Sequence, residues 1–261
     1  MKNLAIIGAG NMGAAFCRGL TEALPNISVS ITDHNAEKLK PFSDISTSTN
    51  PQEILGNADC VLLAVKPQSF DTLCEDLGDL LKDRLIISIM AGKTLETLRE
   101  KTGSSRIVRS MPNLGAQVRQ GITAWITSSA VTGAEEKSVR QMFQAVGTEI
   151  RMNDEAAIDS FTAIAGCGPA YFFRLCSVLA QEAEHLGFSK EDARRMAEQT
   201  FLGSAELLKQ GAQTSEEWVK AVSSKGGLTE AALKHLAQSD IDAVMREAIG
   251  KSLERSKELS A

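Results

Sequence analysis

Through residue 152 the chain alternates short apolar blocks with longer amphipathic stretches. The blocks 4–8, 27–32, 60–65, 85–90 and 106–111 are rich in β-branched residues and bounded by Gly, Pro, Asp or Asn, so they read as strands. Val61-Leu62-Leu63-Ala64-Val65 and Leu85-Ile86-Ile87-Ser88-Ile89 are almost continuously apolar. Strands have that character when helices cover both faces of a parallel sheet. Between them, 12–24, 68–81 and 95–101 carry the helical pattern. Such alternation, joined by right-handed crossovers, predicts a doubly wound α/β domain. A later pair of strands, 121–127 and 148–152, flanks a helix at 134–145 and extends the sheet.

After Met152 the strand signal stops. Phe172, Leu175, Leu179, Ala183 and Leu186 recur at spacings of three and four, and so do Ile241, Val244, Met245, Ala248, Ile249 and Leu253. Each set lines one face of a helix. Ser189, before Lys190-Glu191-Asp192, is a good N-cap for a further helix reaching about residue 209. Two domains follow, 1–152 and 153–261, hinged at Asn153-Asp154. The fold class is α/β: an N-terminal Rossmann-type doubly wound sheet, then an all-α C-terminal domain. So much apolar stripe in the second half points to a core shared with another copy of the chain, a self-contained bundle being the other reading.

Composition acts mainly by exclusion. Twenty-eight Lys and Arg against 33 Asp and Glu leave a net charge of −5, without the basic footprint of a nucleic-acid binder. No unbroken run of about 18 apolar residues occurs, so no membrane-spanning helix is expected. The apolar start is cut off by Gly8, too early for a secretory signal, and a cytoplasmic location is expected. Cys17, Cys60, Cys74, Cys167 and Cys176 lack Cys-x-x-Cys spacing, and His34, His185 and His235 stand apart. Neither a disulfide framework nor a metal site is expected.

Chemistry concentrates at a few places. Gly8-Ala9-Gly10-Asn11-Met12-Gly13 is a Gly-x-Gly-x-x-Gly between a strand and a helix. In that setting the first glycine permits the tight turn, the second admits a pyrophosphate and the third lets helix and strand pack closely. The phosphates then sit on free N–H groups of the first helical turn. Asp33 ends the second strand, 20 residues beyond Gly13, where a carboxylate accepts from an adenine ribose and favours NAD over NADP. His34 and Lys38 are close enough to offset the charge of a 2′-phosphate. Asp33 otherwise serves as a cap for the helix beginning near Asn35. Lys66, Pro67, Ala91-Gly92 and Asn113 lie just beyond strand ends, where parallel sheets bind ligands. Pro67 also suits the first turn of the next helix.

Ser223-Ser224-Lys225-Gly226-Gly227-Leu228-Thr229 precedes a helical run. Successive N–H groups at a Gly-Gly turn into a helix make a concavity suited to a carboxylate, while an ordinary capped loop is the plainer reading. Thr229 places a hydroxyl in the first turn. Gly166-Cys167-Gly168-Pro169-Ala170-Tyr171 is a second glycine-rich interruption, open to close approach of a ligand or another backbone.

Together with Val65-Lys66-Pro67-Gln68 and Met111-Pro112-Asn113, these motifs make the chain resemble the pyrroline-5-carboxylate reductases over essentially its whole length. The 166–171 and 223–233 motifs are the specific ones. The resemblance implies an oxidoreductase that reduces the C=N bond of 1-pyrroline-5-carboxylate to give L-proline, the last step of proline biosynthesis. It implies NADPH as the preferred reductant, and a helical domain interleaved with its twin in a homodimer that often assembles further. Residue by residue, it gives the substrate carboxylate to Ser224 and the N–H groups of Gly226 and Gly227. Thr229 becomes the catalytic residue, bonded to the ring nitrogen and helping deliver the proton. Gly8, Ala9, Gly10, Asn11, Met12, Gly13, His34, Asn50, Ala64, Val65, Lys66, Pro67 and Ala91 match the family's cofactor contacts, and Glu155 matches a substrate-side carboxylate.

Departures from the family pattern are specific. Lys225-Gly226-Gly227-Leu228-Thr229 stands where Pro-Gly-Gly-Thr-Thr is usual, and Cys167 replaces a serine. Many members carry Arg at the His34 position after a neutral residue rather than Asp33, which leaves NADPH against NADH open. Alternative readings are a reductase of another cyclic imine, a β-hydroxyacid dehydrogenase, or a non-catalytic NAD(P)-binding sensor. The dehydrogenase would want a catalytic Lys on a long interdomain helix, yet none lies between Arg151 and Phe188.

Overall fold

The computed structural model describes residues 1–260. Its elements are β1 (Asn3–Ile7), α1 (Asn11–Ala23), β2 (Ser28–Thr32), β3 (Ser46–Ser48), α2 (Pro51–Leu55), β4 (Cys60–Leu63), α3 (Phe70–Leu77), β5 (Leu85–Ser88), α4 (Leu95–Thr102), β6 (Ile107–Pro112), β7 (Gly121–Thr127), α5 (Gly133–Gln144) and β8 (Gly147–Arg151). Helices follow: α6 (Glu155–Phe161), a π turn (Thr162–Gly166), α7 (Gly168–His185), α8 (Lys190–Lys209), α9 (Ser215–Val222), α10 (Leu228–Gln238) and α11 (Ile241–Ser260). The sheet runs β3-β2-β1-β4-β5-β6-β7-β8. Its first six strands are parallel in the order typical of a Rossmann fold. β7 is antiparallel to β6, pairing Met111 with Ala124, and β8 runs parallel to β7.

The apolar blocks have the cause inferred from their pattern. In β1, Leu4 and Ile6 enter one core with Phe16, Leu20, Trp125 and Phe143, while Ala5 and Ile7 enter the opposite core with Phe70, Leu77 and Leu98. β4 divides likewise, Cys60 and Leu62 against Val61 and Leu63. The sequence pattern does not reveal β3. It is Ser-Thr-Ser at the sheet edge, where only part of each side chain is covered and no apolar block is needed.

The described chain forms two compact units, one of Met1–Cys167 with the segment from Ser252 onward, the other Gly168–Lys251. Beyond Met152, where the sequence pattern changes, α6 still belongs with the sheet: Ile158 and Phe161 pack on Ala124 of β7. In the second unit α7 packs along α8, with Phe172 edge-on to Phe201 at 6.4 Å and the small Ala183, Ala193 and Ala197 buried. Most of its large apolar side chains stay exposed, Phe172 by 60% and Phe173 by 62%. One helical stretch, Glu155–His185, is long and apolar enough by composition to cross a membrane, contrary to the expectation from run length. Gly166, Gly168, Pro169 and the charged Arg174 break the run of apolar residues while the average over the stretch stays high.

Candidate active site

The carboxyl ends of β1, β2, β4 and β5 lie along one edge of the sheet, and most of the expected cofactor residues stand there. The three glycines of the first loop sort by geometry. Gly8 has φ +106°, and a Cβ on it would come within 2.5 Å of the Ala64 carbonyl oxygen. A Cβ on Gly13 would run into the Gly8 carbonyl oxygen and crowd the Ala64 methyl at 3.1 Å. A Cβ on Gly10 would meet no atom within 4 Å beyond its own stretch of chain. Two glycines therefore serve the fold, and the third leaves room outside it. No side chain caps α1 at Gly10, so its first N–H groups face that room. Open space beside uncapped donors at a positive helix end suits a diphosphate. The residues present thus fit a dinucleotide.

Asp33 is turned inward, its side chain only 5% exposed. One oxygen accepts from the Ala9 N–H at 2.9 Å and the other from the Asn35 N–H at 3.0 Å. The Lys38 ammonium lies 3.1 and 3.3 Å from the two oxygens. Burial alone raises this carboxyl's pKa, but the Asn35 and Ala9 N–H groups and Lys38 outweigh it and hold the group below its ordinary value. Asp33 therefore clamps the glycine loop to the end of β2 and also closes a local turn at Asn35. His34 beside it is 92% exposed. Asn50 caps α2, its Oδ1 accepting from the Gln52 N–H at 3.1 Å. Ala64 packs against the glycine loop, Pro67 opens a 3-10 turn at Pro67–Ser69, and Lys66 and Ala91 are exposed.

Glu155, given to the substrate side by resemblance, stands at the start of α6. It accepts from the Arg109 guanidinium at 2.8 Å and from the Leu95 N–H at 2.9 Å, capping α4. Arg109, 3% exposed on β6, also donates to Asp159 at 2.8 Å. Asn113 completes the tie, donating to the Ala165 carbonyl of the π turn and accepting from the Ile122 N–H, both at 3.1 Å. Sequence reading passed over Arg109, although a charge inside the apolar block Ile107-Val108-Arg109 signals a buried partner.

In the helical unit, Ser224 through Thr229 form a turn with Gly226 at φ +73°. The Gly227 N–H donates to the Ser224 carbonyl at 2.9 Å, and a Cβ on Gly227 would collide with the Ser224 hydroxyl. The Gly226 N–H donates to the Glu230 carboxylate at 2.6 Å, while Lys234 pairs with the other Glu230 oxygen at 3.2 Å. Both glycine donors assigned to a ligand thus have partners, Gly227 within the turn and Gly226 on α10. Gly227 gives α10 no side-chain cap, which leaves the first N–H groups of that helix, Leu228 and Thr229 among them, turned outward. No group of His, Cys, Asp and Glu suited to a metal occurs among the described residues.

Sheet order, glycine loop and helical second unit define the class, a dinucleotide-dependent oxidoreductase of the Rossmann-plus-helices kind. Residues 155–259 match the family model for pyrroline-5-carboxylate reductase dimerisation, and residues 3–92 match that for NADP oxidoreductase coenzyme F420-dependent. The chain is 36% identical to the pyrroline-5-carboxylate reductase of Pseudomonas aeruginosa, covering 98% of this chain and 96% of that one. A solved pyrroline-5-carboxylate reductase from Coxiella burnetii superposes with TM-score 0.92 at 33% identity, covering 100% and 99% of the two chains. Pyrroline carboxylate reductase from Plasmodium falciparum, solved with NADP bound, gives 0.87 at 26% identity over 100% and 98%. The chain belongs to the pyrroline-5-carboxylate reductase family.

Proposed function

We propose that this chain reduces 1-pyrroline-5-carboxylate to L-proline with a reduced nicotinamide dinucleotide, NADPH in preference to NADH. The bound nicotinamide supplies a hydride to the imine carbon. The open space over Gly10, beside the uncapped start of α1, supports a diphosphate there, with Ala9, Asn11 and Met12 around it. Ala64, Val65, Lys66, Pro67 and Ala91 wall the rest of that edge. The substrate carboxylate goes to the start of α10. With the Gly226 and Gly227 N–H groups engaged, the donors left to it are the Leu228 and Thr229 N–H groups and the Ser224 hydroxyl. The Thr229 hydroxyl orients the ring nitrogen and holds its proton. A protonated C=N is already electrophilic, so no strong acid is required. Glu155 then acts through α4 and Arg109 rather than on substrate.

The uncapped helix start behind a glycine turn carries this reading. The domains divide in function near residue 152, cofactor before and substrate after. The working form is a homodimer, supported by the matched dimerisation model and by the exposed faces of α7 and α8. The same model covers Glu155–His185, so an apolar subunit contact accounts for that stretch and no membrane partner is invoked. Five free thiols support the reducing cytoplasm as its location.

Incubation with 1-pyrroline-5-carboxylate and NADPH should consume the nicotinamide absorbance and yield proline. Thr229→Ala should lower kcat about 10- to 100-fold while leaving cofactor affinity within about twofold. Unchanged turnover would remove Thr229 from the reaction. Cofactor binding without consumption would favour the sensor.

A further inference from the structure

A free carboxylate at the end of β2 would bind the ribose hydroxyls and repel a phosphate on them. Asp33 is not free. Both of its oxygens are taken by backbone N–H groups and the Lys38 ammonium, and it faces the glycine loop. Lys38 itself is 42% exposed and lines a cavity of about 250 Å³ with Gly10, Ala14, Arg18, Pro41 and Phe42. The Arg18 guanidinium lies over the Phe42 ring at 5.4 Å, held to the wall by its apolar neighbour. Among the described residues Arg18 pairs with no carboxylate. The cavity therefore has Gly10 in its wall, the nearby Asp33 carboxylate is already matched by Lys38, and Arg18 adds a positive charge that takes part in no ion pair among the described residues.

We propose that Lys38 and Arg18 form a receptor for the 2′-phosphate of an adenosine, so that the chain selects the phosphorylated dinucleotide despite carrying Asp33. Lys38 has two tasks. It neutralises the carboxylate that would repel the phosphate, and it turns its remaining donors toward the cavity. Arg18 closes on the phosphate from α1. The proposal rests on the dinucleotide reading of the glycine loop and names the group that fixes cofactor choice within it.

The test is calorimetric titration of the full chain with adenosine 2′,5′-bisphosphate and with adenosine 5′-monophosphate. The unaltered protein should bind the bisphosphate about tenfold or more tightly. Lys38→Met should bring the two within about threefold, mainly by weakening the bisphosphate, whereas Lys38→Arg keeps the preference. Arg18→Gln should reduce it severalfold with Asp33 and Lys38 untouched, an independent reading if Lys38→Met does not fold. Equal binding of both nucleotides by the unaltered protein, or a preference that survives Lys38→Met and Arg18→Gln, overturns the proposal and leaves the reductase reading standing. Binding of neither nucleotide overturns both.

Discussion

At the scale of single residues, the glycine loop shows one motif doing separate jobs. Gly13→Ala would drive a methyl into the Gly8 carbonyl, and overpacking of that kind costs about 1–3 kcal/mol. Gly10→Ala meets nothing within 4 Å and its backbone sits at φ −70°, so folding stability should change by less than about 1 kcal/mol. Dinucleotide affinity should nevertheless fall in Gly10→Ala, because the methyl occupies the ligand's space. Melting curves and titrations on the two variants separate these effects. Asp33 gives a pH prediction. Its carboxyl, like that of Asp59 bonded by the Lys2 and Asn3 N–H groups, is more acidic folded than unfolded. Stability from both is complete above the ordinary Asp value and drains away as pH falls below about 4. Urea midpoints measured down this range should drop, and Asp33→Asn should flatten the slope. The glycine spacing was legible in the sequence because each role follows from backbone sterics. The inward turn of Asp33 was not, since it depends on where the Ala9 N–H comes to point.

Among the elements, β6 carries the tie with most consequence. Arg109 fixes α6 through Glu155 and Asp159, and Glu155 in turn caps α4. Arg109→Met would leave two carboxylates near one another without their cation, so unfolding should become easier by about 3–5 kcal/mol. Denaturant melts of Arg109→Met beside Arg109→Lys check this, with Lys recovering only part because it lacks the two-pronged fork. The strand–helix alternation was readable because burial on both faces writes itself as apolar blocks. β3 was hidden by its edge position, and the turn before α10 was read only in outline. Its glycines and hydroxyls were evident, but the seating of Glu230 on the Gly226 N–H depends on a helical register that spacing alone does not settle.

For the whole molecule, the second unit leaves apolar area that water would penalise in a lone chain. Phe172, Phe173, Leu175 and Leu179 are all exposed along α7. Phe173→Glu should therefore convert the proposed homodimer to monomer or to aggregate, with sedimentation velocity as the measure, while the circular dichroism of the sheet unit persists. A Phe173→Glu variant that still sediments as a dimer would move the contact elsewhere. The helical stripes at 172–186 and 241–253 signalled such a surface in the sequence, because a periodic apolar face must be covered by something. They could not signal that the chain returns to its first unit near the end. The Ser252 hydroxyl lies 3.1 Å from the Cys167 thiol, and Ser256 donates to Asp159 at 3.3 Å across 97 positions of sequence. During synthesis the sheet therefore leaves the ribosome well before these last partners do. Until Ser252 and Ser256 have emerged, the nascent sheet unit holds α6 on one side only.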